Sequence, residues 1–272
     1  MLPMRWVCEQ SCMALDALAR CMPEASKNTL RSVLGDGRFF VNDQVVKKNL
    51  SLLPGAICEL KQKKKFLDDI EILYEDKDIV VVDKPEGLLS VATDRETEFT
   101  LHAKLKQRYG QVSTVQRLDR ETSGVLVFAL NGKAREGLIG QFANHSIIRE
   151  YRAIVIGNIP QKGTWRHHLV EDGNLKMHVT SHGGVLAETH FERLEERDNL
   201  SLVRFQLTTG KKNQIRVQSS YMGFPILGDK KYGKNDEFQS DRMYLHAHHL
   251  GFFHPLTKKK LSFFSPIPFC IR

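Results

Sequence analysis

The sequence predicts an α+β fold, with a mixed, mainly antiparallel β-sheet in the main body and a small module before it. Short apolar runs typical of buried strands outnumber helical patterns, and the two do not alternate as a doubly wound parallel sheet requires. Positive charge is unevenly spread, since residues 1–66 hold 11 of the 40 Lys and Arg residues but 6 of the 32 Asp and Glu residues. This asymmetry indicates a polyanion-binding module on a more neutral body, although a solvated basic surface would give the same count.

The composition argues against several classes of protein. A length of 272 residues suits one large domain or one domain plus a small module. The 41% hydrophobic and 26% charged residues argue against a mainly disordered chain, and no apolar run approaches the roughly 18–20 residues of a membrane span. Glu9 and Asp16 come too early for a secretory signal. Five scattered cysteines do not suit a disulfide framework, so we expect reduced thiols in a cytoplasmic protein.

Residues 1–62 predict a compact module of two helices followed by strands. Apolar spacing places the helices at 14–22 and 26–34, and Ser26 can cap the second helix with its hydroxyl group. Turn residues then separate three expected strands, at 38–41, 44–46 and 56–60. The lysine-rich run that follows resists burial, and we therefore place a basic linker at 63–69.

The body, residues 70–272, is predicted to be rich in strands. Continuous apolar runs suit buried strands at 79–82, 124–130, 154–156 and 202–207. Helical patterns between them are expected at 100–108, 132–143 and 213–222, and glycines follow the first and the last of these. Strands therefore dominate the predicted body.

The polar segment that leads into the strand at 124–130 is the most informative part of the chain. Asp119 lies between Arg117 and Arg120, and a carboxylate flanked by cations stays ionised at neutral pH, as a nucleophile or a base requires. Thr122-Ser123-Gly124 supplies hydroxyl groups and a glycine that can stabilise a tight loop. A salt-bridged surface loop would give the same pattern, so these residues alone do not decide between structure and chemistry.

This segment, Arg-Leu-Asp-x-x-Thr-Ser-Gly followed by four apolar residues, resembles the signature of the RluA-type RNA pseudouridine synthases. Three more blocks occur in that family's order, and they begin at Asp83, Tyr151 and Leu207. The resemblance covers about residues 70–268 and implies the pseudouridine synthase fold. It also implies isomerisation of uridine in RNA to its C-glycoside, a reaction that requires neither a metal nor an organic cofactor.

The same resemblance assigns roles to four residues. Asp119 would be the carboxylate beside the ribose, much as glycoside-cleaving sites need one, and either attacks the anomeric carbon or removes a neighbouring sugar proton. Arg216 would pair with Asp119 and keep it ionised in a pocket that excludes water. Tyr151 would stack under the target base and could also take the C5 proton. Arg117 would fill the space that the flipped uridine leaves, unless it only braces its loop.

The N-terminal module resembles the alpha-L RNA-binding domain, which is named for a small-subunit ribosomal protein. The matching residues are Pro23, Ser26, Leu30, Gly37, Val41-Asn42 and Gly55. This resemblance would place Lys27, Arg31 and Arg38 against phosphate, where contacts add affinity and salt dependence but little sequence recognition. We expect RNA as the partner, large-subunit ribosomal RNA first, and a monomeric protein with no membrane, metal or cofactor.

Three residues depart from the family pattern, because Gln116 and Asn213 stand where histidine is usual and Lys211 where arginine is usual. They leave the RNA target and the subfamily open. A group of histidines near the C-terminus could suggest a metal site: His246, His248, His249 and His254. No nearby Cys-x-x-Cys or acidic ligand in the sequence completes such a set, so we expect His246 to be a packed residue near the site.

Two other function classes stay open at this point. A catalytically silent RNA-binding or ribosome-assembly protein could keep the same fold, although it would not need Asp119, Tyr151 and Arg216 together. A nucleosidase that cleaves the glycosidic bond would need a positioned water and usually a second carboxylate, and no motif in the sequence marks one.

Overall fold

The computed structural model describes residues 4–23, 25–35, 37–60, 70–93, 96, 99–233, 240 and 242–271. The chain divides into two compact units, Met1–Asp68 and Asp69–Arg272, and each has its own core. The linker predicted at 63–69 lies outside the described residues. The longest described helix has 12 residues, so no helix of the described chain is long enough to cross a membrane.

The first unit packs two helices beside short strands. The helices are α1 (Ala14–Cys21) and α2 (Lys27–Gly35), each within one residue of its predicted bounds. The strands are β1 (Met4–Val7), β2 (Cys12–Met13), β3 (Phe39–Val41), β4 (Gln44–Val45), β5 (Ser51–Leu52) and β6 (Ile57–Leu60). They form a sheet of order β1-β6-β3-β4 and a separate β2-β5 pair. The strands β1, β2 and β5 were not predicted.

The second helix forms for the reasons that the sequence gives. The Ser26 hydroxyl oxygen accepts a hydrogen bond from the Thr29 amide at 3.2 Å, which caps the helix start. Leu30, Val33 and Leu34 are buried in the core of this unit, as their helical spacing predicts. The predicted cap and apolar stripe are both confirmed.

The second unit is built on one large sheet. Its described strands are β7 (Glu71–Glu75), β8 (Ile79–Lys84), β9 (Ser113–Thr114), β10 (Ser123–Ala129), β11 (Ile148–Ile156), β12 (Lys162–Glu171), β13 (Met177–Thr180), β14 (Val185–Arg197), β15 (Leu200–Leu207), β16 (Leu245–Phe253) and β17 (Lys260–Phe264). The main order is β13-β12-β14-β15-β11-β16-β10-β8-β7, with β17 beside β16 and β9 beside β10. Among the described pairs, β10 and β16 run parallel and the others run antiparallel, which confirms the mixed, mainly antiparallel sheet.

The described part of this unit has three helices, α3 (Leu101–Tyr109), α4 (Gly132–Ala143) and α5 (Gln214–Tyr221), and each is within one residue of its prediction. The side chains of Thr100 and Asn131 cap α3 and α4 by accepting hydrogen bonds from backbone amides in the first turn. Gly110 ends α3 at a φ of 74°, a conformation that glycine adopts without a steric penalty.

Gly124 makes the parallel contact between β10 and β16 possible. It lies opposite Ala247 in the register and has a φ of 116°. A Cβ atom at this position would overlap the Ala247 backbone. The glycine of the Thr-Ser-Gly sequence therefore does not stabilise a loop but lets two strands approach each other directly after the Asp119 segment.

We expect Gly124→Ala to destabilise the protein by about 2–6 kcal/mol, because it adds backbone strain to a steric overlap. Urea unfolding, followed by circular dichroism, measures this loss. Gly140→Ala is the matched control, since Gly140 lies inside α4 with no atom near its Cβ position. The control should gain about 0.5–1 kcal/mol from helix propensity. Equal effects of the two substitutions would contradict the role of Gly124.

Candidate active site

The loop that carries Asp119 is fixed by hydrogen bonds to residues 84–90. The buried Ser90 hydroxyl donates to the Leu118 carbonyl at 2.7 Å and accepts from the Leu118 amide at 3.1 Å. The Gly87 amide donates to the Arg120 carbonyl at 2.8 Å, and the Arg120 guanidinium donates back to the Gly87 carbonyl. Asp119 therefore lies between two anchored neighbours on a loop that has little freedom to move. Sequence analysis did not identify Ser90.

Lys84 adds a third tie between the two segments. Its buried amine donates to the carbonyls of Pro85, Leu88 and Arg120, at 2.9, 2.7 and 3.3 Å. Burial lowers the pKa of Lys84 to about 7, against the opposing influence of the Asp119 charge. The three N–H groups of Lys84 match the three carbonyl groups in number. This lysine therefore binds the backbone of the two segments and has no N–H group left to bind a ligand.

Arg216, on α5, contacts three carboxylates. Its guanidinium donates to Asp119 at 2.8 Å and to both oxygens of Asp229, at 2.7 and 2.8 Å, and it lies 3.6 Å from Glu121. The side chains of Arg216 and Asp229 are 6% and 0% exposed, whereas Asp119 is 26% and Glu121 is 51% exposed. Burial opposes the charged form of Arg216, but hydrogen bonds and the charges of Asp229 and Asp119 raise its pKa. The expected pairing of Asp119 with Arg216 is present.

Asp229 orients Arg216, and both of its carboxylate oxygens accept hydrogen bonds. One of its oxygens also accepts the backbone amides of Lys231 and Tyr232, at 2.9 and 3.1 Å. Gly228 permits this turn, because its φ is 76° and a Cβ atom there would overlap the Arg242 carbonyl. Sequence analysis assigned no role to Asp229, since an ion pair with a residue 13 positions away leaves no local pattern.

Asn213 makes a further contact with Asp119. Its side-chain amide donates to the same Asp119 oxygen as Arg216 does, at 2.6 Å. The sequence showed this residue only as a departure from the family pattern, and the contact with the carboxylate could not be foreseen. This departure from the family pattern therefore lies directly against the Asp119 carboxylate.

Tyr151, on β11, lines the same cavity as Asp119 and Arg216, a space of about 70 Å³. The pairing of β11 with β16 shifts register between Glu150 and Tyr151, and such irregularities re-aim side chains beside active sites. Burial, together with the Asp119 charge, raises the pKa of Tyr151 to about 12. Tyr151 is therefore protonated at neutral pH.

A larger cleft of about 660 Å³ lies next to this cavity and shares Asp119 and Arg216 with it. The other basic residues that line it are Arg117, Arg120, Lys212, Lys230, Lys231 and Arg242. Arg117 is exposed, lines both spaces and forms no hydrogen bond or ion pair with the described residues. Nothing in the described part of the chain therefore supports a bracing role for Arg117.

The predicted phosphate-binding residues belong to the first unit. Lys27 and Arg31 are both exposed and lie one helical turn apart on α2, so their side chains share a face. Arg38 is half-buried and comes directly before β3.

Two of the C-terminal histidines, His246 and His254, are buried and hydrogen-bonded. His246 is buried, with Nδ1 bonded to the Ser123 hydroxyl at 2.9 Å, and burial lowers its pKa to about 4. His254 lies with Asp76 and Asp78 in the one described group whose spacing could hold a metal ion. Its Nδ1 accepts the amides of residues 256 and 257, so Nε2 carries the proton and donates to Asp76 at 2.9 Å. This group is a hydrogen-bonded structural contact.

Comparison with known proteins identifies the class of protein. Residues 78–221 match the model of the RNA pseudouridylate synthase family, a span that includes Asp119, Tyr151 and Arg216. The chain belongs to this family and is an RNA pseudouridine synthase of the RluA type, an isomerase.

Individual relatives extend over most of the chain. The uncharacterized RNA pseudouridine synthase YlyB of Bacillus subtilis is 34% identical over 269 residues, 92% of this chain and 89% of the relative. Ribosomal large subunit pseudouridine synthase D of Zymomonas mobilis is 37% identical over 220 residues, 73% of this chain and 69% of the relative. The solved structure of human RNA pseudouridylate synthase domain containing 1 is 27% identical, with a TM-score of 0.64 over 75% of this chain and 86% of that one.

Asp229 and Glu121 are two of the three carboxylates that contact Arg216, and their contributions to the stability of the protein should differ sharply. Asp229→Asn breaks a buried, bidentate ion pair and should cost about 3–5 kcal/mol of unfolding free energy. Glu121→Gln removes an exposed partner at 3.6 Å and should cost about 0–1 kcal/mol. Urea unfolding of both variants measures the difference, and a similar small loss in each would argue against a buried junction at Arg216.

Proposed function

We propose that this protein converts uridine to pseudouridine in large-subunit ribosomal RNA, with Asp119 as the reacting carboxylate. The observation that carries the proposal is that Asp119, Arg216 and Tyr151 line one small cavity beside a basic cleft. The relatives named ribosomal large subunit pseudouridine synthase D, from Zymomonas mobilis and Neisseria meningitidis, favour that RNA as the substrate.

The chemistry needs an ionised carboxylate at the ribose. The bond from the ribose to N1 of uracil breaks, the uracil turns in the cavity, and C5 joins the same ribose carbon. C5 loses its proton to solvent and N1 takes one up, so the product is an isomer of uridine. Asp229 accepts hydrogen bonds from the Nε and Nη2 groups of Arg216, and this orientation directs the Nη1 group at Asp119. Asp119 then either attacks the ribose carbon or removes a neighbouring sugar proton.

Tyr151 acts as a stacking surface for the target base in this proposal. Because the pKa of Tyr151 is raised to about 12, the phenol is not a ready base for the C5 proton. Stacking of a base on an aromatic side chain contributes about 1–3 kcal/mol and needs no change of protonation.

Arg117 takes the place of the flipped uridine. The target base must leave its stack to reach Asp119, and that step costs a few kcal/mol. An exposed guanidinium without a partner among the described residues is free to stack where the base was. Its position at both the cavity and the cleft supports this role.

The alternative functions are less well supported. A nucleosidase would need a second carboxylate beside the substrate. Asp229 is fully buried and bound on both oxygens, and Glu86 and Glu121 line the outer cleft but not the cavity that Asp119 shares with Tyr151. A silent RNA-binding protein would not require the carboxylate–arginine–tyrosine arrangement or the buried Asp229 that supports it. The fate of the uracil ring distinguishes all three functions.

RNA that carries tritium at uridine C5 tests the reaction directly. We expect the wild-type protein, without added metal, to release the label and no free uracil. Free uracil would indicate a nucleosidase, and no release would indicate a silent binding protein.

Asp119→Asn should abolish label release while RNA affinity persists, because the substitution keeps the shape of the side chain but removes its charge. Asp198→Asn is the control, since Asp198 is an exposed carboxylate in the turn between β14 and β15 and should leave both properties unchanged. Loss of turnover together with RNA affinity in Asp119→Asn would assign that residue a structural role.

We further propose that the first unit binds RNA phosphate through Lys27, Arg31 and Arg38. The exposed positions of Lys27 and Arg31 on one face of α2 support this. Such contacts release counterions, so they contribute to the slope of affinity against salt concentration.

The double variant Lys27→Ala/Arg31→Ala should bind RNA more weakly and lower the salt slope by about 2, or about 1 for each phosphate that is no longer neutralised. Filter binding over a salt series measures the slope. Lys133→Ala/Arg135→Ala removes the same charge from exposed positions on α4 and should leave the slope close to that of the wild type. Equal slopes in the two double variants would refute the assignment of α2.

A further inference from the structure

Asn213 occupies the N-cap position of α5 but does not cap the helix. Asparagine is among the strongest N-cap residues because its side chain accepts hydrogen bonds from the first helical turn. Here its φ and ψ are 52° and 24°, in the left-handed region, and its side chain makes no capping bond. Instead the amide nitrogen donates to Asp119 at 2.6 Å. The Asn213 side chain thus contacts the Asp119 carboxylate and does not form the capping hydrogen bond that would stabilise the start of α5.

The orientation of the Asn213 amide is fixed by a chain of hydrogen bonds. The Met177 amide donates to the Tyr232 hydroxyl oxygen at 3.0 Å, and the Tyr232 hydroxyl donates to the Asn213 Oδ1 at 3.1 Å. With Oδ1 held as an acceptor, the Nδ2 group of Asn213 must point at Asp119. Tyr232 is 8% exposed, and the Arg216 guanidinium lies over its ring at 5.4 Å.

Both donors converge on one oxygen of Asp119. Arg216 and Asn213 each bond to Oδ2, and Oδ1 accepts no hydrogen bond from the described residues. An oxygen that accepts two hydrogen bonds, one of them from a cation, holds more of the negative charge and is less available for reaction. Two hydrogen bonds thus hold the carboxyl group through Oδ2, and Oδ1 has no partner among the described residues.

We propose that Asn213 and Tyr232 are positioning residues, which lock the Asp119 carboxylate so that its Oδ1 atom faces the ribose. The proposal rests on the proposed function, because it concerns the carboxylate of that reaction. Asn213 acts on Asp119 directly, and Tyr232 acts through Asn213. These two residues add a second contact to the one from Arg216, which supplies the positive charge beside Asp119.

Several titratable groups besides Tyr232 lie around Asp119 and must stay intact in a test of pH dependence. They are Arg216 and Asp229 at the junction, Glu121 and the two arginines on the Asp119 loop, Lys84 beneath that loop, and Lys211 and Tyr151 in the lining of the cavity. The test therefore changes only Asn213 and Tyr232.

The experiment measures single-turnover label release and RNA affinity across pH for three variants. Asn213→Asp keeps the size and the tolerance of the left-handed backbone, but it replaces the donor with a second carboxylate against Asp119. We expect its rate at pH 7 to fall about 10- to 100-fold, and its acidic limb to move to higher pH, because adjacent carboxylates share a proton. RNA affinity should stay within about threefold of the wild type, since binding does not use this contact.

A rescue variant of Asn213 and a variant of Tyr232 complete the test. Asn213→His tolerates the left-handed backbone and retains a nitrogen donor, so it should recover most of the rate. Tyr232→Phe keeps the ring under Arg216, removes only the hydroxyl group and should lower the rate about 3- to 10-fold with RNA affinity unchanged.

Each outcome bears on one of the two proposals. No label release by the wild-type protein contradicts the proposed function. An active wild type whose Asn213→Asp and Tyr232→Phe variants keep its rate and pH profile overturns the positioning role. Equal losses of rate and RNA affinity, or no recovery in Asn213→His, overturn it as well. If Asn213→Asp does not fold, Tyr232→Phe alone decides the matter.

Discussion

The buried guanidinium of Arg216 is the interaction on which the rest of the site depends. It contacts Asp119 and Asp229 through separate N–H groups, and Tyr232 lies beneath it. A buried arginine without partners would be very costly, so the two aspartates stabilise the folded protein by pairing with it. Asp229 in turn relies on Gly228, which permits its turn. The same contact therefore links the helix α5, the turn at 228–232 and the loop of Asp119.

The loop of Asp119 gains its rigidity from neighbours that are distant in sequence. Lys84 and Ser90 hold it from one side through backbone groups, and Gly124 closes the parallel strand pair that follows it. None of these residues contacts substrate in the proposed function. They keep a short polar segment in one geometry, which is what a reaction at a single ribose carbon requires.

Much of the fold could be predicted, because apolar residues recur at helical spacing in the helices and side chains cap the starts of α2, α3 and α4. The strands β12, β13 and β14 could not, since their exposed polar faces interrupt the apolar pattern and their pairing is set by neighbours along the sheet. In the site, Asp119 and Arg216 were found through a family signature, and their pairing is present. The contacts of Asn213 and Asp229 were not foreseen, because a side chain that bridges two loops leaves no periodic signal.

The charges around Asp119 bear on how a polyanion would approach it. The outer cleft carries cations from several segments, among them Arg117, Lys230 and Arg242, and Arg117 and Lys211 also line the inner cavity together with Arg216. In the proposed function, this positive potential would attract a phosphodiester as far as the cavity mouth. The cavity itself has a volume of only about 70 Å³, so its narrowness and not its charge would limit how much of a nucleotide enters.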